Sequence, residues 1–157
     1  MQFIYKIIFF AFKLYQMKTN WIQTIWTTKD CEQVISKDID NVIYEFLGAE
    51  FAAMGCELKV INGTANHVHC LFKVNSKRSL DEIIKMVKGA SSHRINQVKL
   101  INSKFAWEKG YESSSVGKSE FEKAYHDILN QKIIHEDPTI SIEKEIHEMH
   151  EFEIEEC

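Results

Sequence analysis

An α+β fold, with helices packed on a ferredoxin-like antiparallel sheet, is predicted by three features of the 157-residue sequence. Its hydrophobic period switches between two and 3.6 residues in the order strand, helix, strand, strand, helix, strand, helix, which suits a split βαβ sandwich. The length fits one well-packed domain and is short for two. Hydrophobic residues make up 45% and charged residues 27% of the chain, the balance of a globular protein rather than a disordered or membrane one.

Each element has a local cause. "WIQTIWTT" (residues 21–28) is dense in β-branched and aromatic side chains, as a strand requires. Ile39, Val42, Ile43, Phe46 and Leu47 then recur at helical spacing, and Gly55 punctuates the end of that helix. "CELKVING" and "HVHCLFKV" read as two strands joined through Gly63 and Asn66. The second helix opens at "SLDE", where Ser79 and Glu82 make a capping box and Leu80, Ile83, Ile84 and Val87 form the buried stripe. After "FAWEKGY", "SEFE" repeats the device with Ser119 and Glu122, and the spacing predicts a third helix running to about His135.

Charge divides the chain. From Lys73 to Lys109 nine Lys/Arg face three Asp/Glu, whereas from Glu143 to Cys157 seven Glu face one Lys. A basic middle suits a polyanionic partner, while the acidic end reads as a solvated helix or frayed tail. The overall pI near 6.0 argues against a general, non-specific nucleic-acid binder. Cys31, Cys56, Cys70 and Cys157 show no paired spacing, as expected of reduced thiols in a cytoplasmic protein. The N-terminal run "IIFFAF" is six residues between lysines, too short to span a membrane. Residues 1–16 therefore read as an extension outside the fold, residues 17–136 as the domain, and residues 137–157 as the acidic tail.

One stretch carries chemistry. In "ANHVHCLF" His67 and His69 lie two apart in a strand, so they share a face, with Val68 and Cys70 opposite. Two imidazoles on one face are either half-buried structural residues or two ligands of a divalent metal, and a metal site needs a third donor from elsewhere. His126, His135, His147 and His150 read as surface residues.

The blocks "NHVHCLF", "SLDEIIKMVKGASSHRIN", "FAWEKGYESSSVG" and "ILNQKIIH" together resemble the single-tyrosine transposases of the smallest insertion sequences. These are His-hydrophobic-His (HUH) endonucleases and include the REP-associated tyrosine transposases. The resemblance runs from about Trp21 to His135. It implies a catalytic helix at the C-terminal end of the domain, binding of DNA hairpins, and cleavage and rejoining of single-stranded DNA by a homodimer. It also implies a metal held by His67, His69 and Gln131, with Mg²⁺ or Mn²⁺ suiting that mixed nitrogen and oxygen set. Lys85, Lys88, Ser91, Ser92 and Arg94 fall in the family's hairpin-binding region, and Trp107 could stack on an unpaired base or belong to the core.

The resemblance fails at the nucleophile. The family's tyrosine precedes the glutamine by four residues, but that position here is Asp127, and the nearest tyrosine is Tyr125. Positions 127 and 131 share a helix face, whereas Tyr125 is turned about 200° from 127 and joins Phe121 and Ile128 on the packing stripe. A carboxylate attacking a phosphodiester would form a labile mixed anhydride, so Asp127 suits a ligand or a base for water. The readings left open are a displaced Tyr125 nucleophile, hydrolysis through Asp127, and a domesticated hairpin binder without cleavage. A metal-binding structural domain without DNA affinity is a further, different class.

Overall fold

The computed structural model describes residues 20–154, with side chains described as far as residue 150. The N-terminal extension and the last residues of the acidic tail lie outside the described residues. Four strands form one antiparallel sheet: β1 (Trp21–Thr27), β2 (Glu57–Gly63), β3 (His67–Lys73) and β4 (Glu112–Ser115), in spatial order β2-β3-β1-β4. That order, with every neighbouring pair antiparallel, is the ferredoxin-like arrangement. The helices are α1 (Asp40–Ala53), α2 (Leu80–Gln97), α3 (Phe121–Leu129), α4 (Gln131–Ile134) and α5 (Ile142–Ile154).

The two faces of the sheet receive different helices. Val68, Cys70 and Phe72 of β3 join Trp26, Ile43, Leu47, Phe51, Ile83, Ile84 and Val87 in the main core, under α1 and α2. Fully burying one such side chain contributes about 1.5–3 kcal/mol, so this layer holds most of the fold's stability. The opposite face carries a smaller cluster of Val60, Leu71, Val116, Ala124 and Ile128, covered by α3. Lys59 bulges from β2, because Leu58 pairs with Phe72 and Val60 with Leu71. The bulge returns Val60 to the second face and bends the edge strand toward α3.

Local chemistry sets the turns. A Cβ on Gly63 would lie 2.1 Å from the His67 carbonyl oxygen, so only glycine lets β2 fold so closely onto β3. Gly55 ends α1 with φ of +72°, a left-handed C-cap. Ser79 caps α2 as its spacing predicts, accepting the Glu82 amide at 3.1 Å, while the Glu82 carboxylate pairs with Arg78 instead of reaching back.

Three expectations are corrected. Ser119 does not cap α3: Glu120 holds the cap position, and the Ser119 hydroxyl is spent on the Glu120 carboxylate. The predicted single helix to His135 breaks at Asn130, leaving α3 and α4 as separate pieces. The Asn62 amide bonds the Leu129 carbonyl there at 2.8 Å, so the sheet edge takes over a carbonyl at the end of α3. The acidic end is not simply solvated either. Within it α5 packs against β4 and buries Met149.

Candidate metal centre

Strand alternation delivers His67 and His69 to the second face, beside Leu71, and both are nearly inaccessible to solvent. The His67 ring is fixed from behind. Its Nδ1 lies 2.8 Å from Asn66 Oδ1 and 2.9 Å from Thr64 Oγ1, and the Thr64 hydroxyl itself donates to Asn66 Oδ1. Both neighbours are therefore acceptors, which assigns the proton to Nδ1 and leaves the Nε2 lone pair facing the site. Burial, with His67 and His135 nearby, lowers the pKa of His69 despite the opposing Glu145, so its imidazole is neutral at pH 7.

Gln131 reaches the same place because the break at Asn130 is pinned to the sheet edge. Lys132, the next residue, bonds Asn62 Oδ1 at 2.7 Å and the buried Asp40 carboxylate at 3.0 Å. Gln131 is thereby buried, and its Nε2 donates to Glu145 Oε1 at 2.8 Å.

Glu145 was not foreseen from the sequence. Its Oε2 lies 3.4 Å from His67 Nε2, 3.5 Å from His69 Nε2 and 3.1 Å from His135 Nε2. Burial works to raise its pKa, but its polar surroundings, with the Gln131 amide donating to Oε1, hold the carboxyl below the usual carboxylate range. His135, expected at the surface, instead bonds Glu145, with its ring centroid 4.8 Å from that of His67. A sequence signal for Glu145 does exist. It stands between Ile142, Ile146 and Met149 at helical spacing, an acid on the apolar stripe of an otherwise acidic helix.

The donors fit a divalent cation. His67 Nε2, His69 Nε2 and Gln131 Oε1 are buried without hydrogen-bond partners, each an omission worth about 1–3 kcal/mol. Ligand atoms of His67, His69 and Glu145 fall within 4.8 Å of one another. Two imidazoles with oxygen donors and no thiolate suit Mg²⁺, Mn²⁺ or a similar ion.

A cavity of about 340 Å³ opens beside these donors, lined by Gln23, His69, Ser114, Asp127, Gln131 and Glu145 among others. Asp127 faces it while its Oδ2 pairs with Lys123 at 2.6 Å. Tyr125 is absent from the lining. It packs with Phe121 against Val60, Leu71 and Ile128, and the Lys59 ammonium sits 5.8 Å from its ring centroid. Among the described residues no tyrosine lines the cavity.

The residues expected to touch DNA divide. Lys85 and Arg94 are exposed and Ser92 partly so, with the Arg94 guanidinium over the Phe46 ring at 4.2 Å. Lys88 is half-buried, and its Nζ ties down the carbonyls of Glu108 and Gly110. Ser91 and Trp107 are corrected to core residues: the Trp107 indole donates to Ser91 Oγ at 3.0 Å, and its ring packs edge-on against Trp26 and Phe105. Trp107 is only 8% exposed.

A ferredoxin-like sheet with His-hydrophobic-His on an inner strand, met by an amide and a carboxylate from C-terminal helices, places the protein in the HUH class. More narrowly, the chain belongs to the IS200-like transposase family, whose model matches residues 16–131. Two solved structures share its fold. One, from Deinococcus radiodurans R1 and described as a candidate transposase, is 22% identical with a TM-score of 0.57, over 71% of this chain and 89% of that one. The other, a REP-associated tyrosine transposase bound to a REP hairpin, is 8% identical with a TM-score of 0.59, over 76% and 70%. No curated protein matches the chain. Among the described residues no helix is long and apolar enough to cross a membrane.

Proposed function

We propose that this transposase is a metal-dependent enzyme that cleaves and rejoins single-stranded DNA at hairpin-marked ends, as a cytoplasmic homodimer. The observation that carries the reading is that His67 Nε2 and His69 Nε2, both buried without hydrogen-bond partners, converge on Glu145, which Gln131 also contacts, beside a cavity of about 340 Å³. Mg²⁺ or Mn²⁺ bound there would polarise the scissile phosphate. His67, oriented by Asn66 and Thr64, and the neutral His69 supply the nitrogen donors. The exposed Lys85 and Arg94 and the partly exposed Ser92 of α2 supply phosphate contacts on the other side of the sheet.

A second reading has its own support, because Asp127 rather than Tyr125 lines the cavity. A carboxylate cannot store the bond energy of a phosphotyrosine, so a domesticated hairpin binder or a hydrolase through Asp127 is the alternative. One experiment separates them. The protein is incubated with Mn²⁺ and oligonucleotides carrying candidate end hairpins, then run on a denaturing gel. A covalent adduct lost in Tyr125→Phe supports cleavage and rejoining. Cleavage without adduct, lost in Asp127→Asn, supports hydrolysis, and hairpin binding with neither supports the domesticated form. Absence of salt-sensitive hairpin binding would refute all three.

A further inference from the structure

We infer that Glu145, carried by the acidic C-terminal helix, is an additional ligand of the same metal, and that Gln131 and His135 hold its carboxylate in place. The inference rests on the metal site proposed above and adds to it a donor from outside the residues matched by the family model, which end at 131. Three observations carry it. Glu145 Oε2 sits at nearly equal distances from both histidine nitrogens, 3.4 and 3.5 Å, where one cation could serve all three. Neither nitrogen makes a hydrogen bond, and both contacts to Oε2 are longer than the usual length of one, about 2.7–3.2 Å. Both carboxylate oxygens are steered, Oε1 by the Gln131 amide at 2.8 Å and Oε2 by His135 at 3.1 Å. This is how outer partners orient a metal ligand.

The chemistry differs from a site of neutral donors alone. An anionic ligand tightens binding of a hard dication and lowers the charge left to act on phosphate. It also makes the docking of α5 and the binding of metal one linked event. Glu145 reaches the histidines only while α5 lies against β4, with Met149 buried and His150 3.3 Å from Glu112.

The test is Mn²⁺ titration by calorimetry, together with hydrogen exchange of the α5 amides, on the full chain. The wild type is expected to bind one Mn²⁺ and to slow exchange along α5. Glu145→Gln is expected to raise the dissociation constant by about 100-fold and abolish the added protection. His135→Phe, which removes only the hydrogen bond to Oε2, is expected to cost about 10-fold, the lower end of what an outer partner is worth. Glu143→Gln removes an exposed charge from the same helix and is expected to change neither readout. Should Glu145→Gln lose its circular dichroism spectrum, Glu145→Asp replaces it, with intermediate affinity expected because the charge is kept and the reach shortened. Saturable wild-type binding with unchanged affinity in Glu145→Gln would overturn the inference and leave the His67–His69 site standing. An equal loss in Glu143→Gln would also overturn it, since bulk charge would then explain the effect. No saturable binding by the wild type would overturn the metal site itself.

Discussion

Strand β3 presents two faces one residue apart that do opposite work. Val68, Cys70 and Phe72 point into a continuous apolar core under two long helices. His67 and His69 point into a polar pocket under three shorter or charged ones, and only Leu71 belongs there to an apolar cluster. All six residues are buried, so burial alone does not separate structure from function. Side-chain chemistry does: on the first face β3 contributes only Val68, Cys70 and Phe72, whereas on the second it contributes two imidazoles whose Nε2 atoms lack hydrogen-bond partners beside Glu145. The larger apolar core lies on one side of the sheet, and the paired imidazoles lie on the other.

The largest effect that could break this comparison is a truncation on the packed face. Phe72→Ala is expected to lose about 3–5 kcal/mol, since the ring is fully buried against Phe51 with centroids 4.5 Å apart. Leu71→Ala, its neighbour on the other face, is expected to lose about 2–3 kcal/mol, the lower part of the Leu→Ala range, because its cluster is smaller and abuts a cavity that can adjust. Urea unfolding measures both. Equal losses would mean that the two faces share the load.

Metal should act on the second face alone. At one hundred times its dissociation constant, Mn²⁺ is expected to stabilise the wild type by about 2.7 kcal/mol and raise Tm accordingly. His69→Gln, which keeps a polar side chain of similar reach, should lose most of that gain while costing the metal-free protein no more than about 1 kcal/mol, since the Nε2 atom it deletes makes no hydrogen bond. Differential scanning fluorimetry with and without Mn²⁺ reads both quantities. A large loss of metal-free stability in His69→Gln would show the imidazole to be structural.

The division between the faces also explains what was legible in the sequence. Local rules specify strands, caps and side-chain alternation, so the sheet, the α2 cap and the shared face of His67 and His69 could all be read directly. Gln131 was reachable only through a resemblance, because its distance from the histidines depends on how α4 is pinned through Lys132 and Asp40. Glu145 was missed for a stronger version of the same reason. Seven glutamates in the tail look alike in one dimension, and only the docking of α5 on β4 distinguishes one of them. The break at Asn130 likewise depends on a side chain 68 positions earlier in the chain, Asn62, which bonds the carbonyl before it.

Trp107 gives the smallest and sharpest test, because its two readings predict different quantities. As a core residue it contributes an indole N–H to Ser91 Oγ, both partners buried. Trp107→Phe keeps an aromatic ring and deletes that donor, so a loss of about 1 kcal/mol in unfolding free energy is expected. Hairpin affinity, followed by fluorescence anisotropy at fixed salt, should not change. If the indole stacked on an unpaired base, replacing it would instead weaken binding by part of the roughly 1–3 kcal/mol that a stacked base is worth. Lys85→Ala provides the contrast on the exposed face of α2. There the expected change is weaker binding with a salt dependence reduced by about one phosphate contact, and no change in stability beyond about 0.5 kcal/mol. Should Trp107→Phe weaken the hairpin complex and leave stability untouched, the packed layer would have to open on binding DNA, and the separation of the two faces would fail.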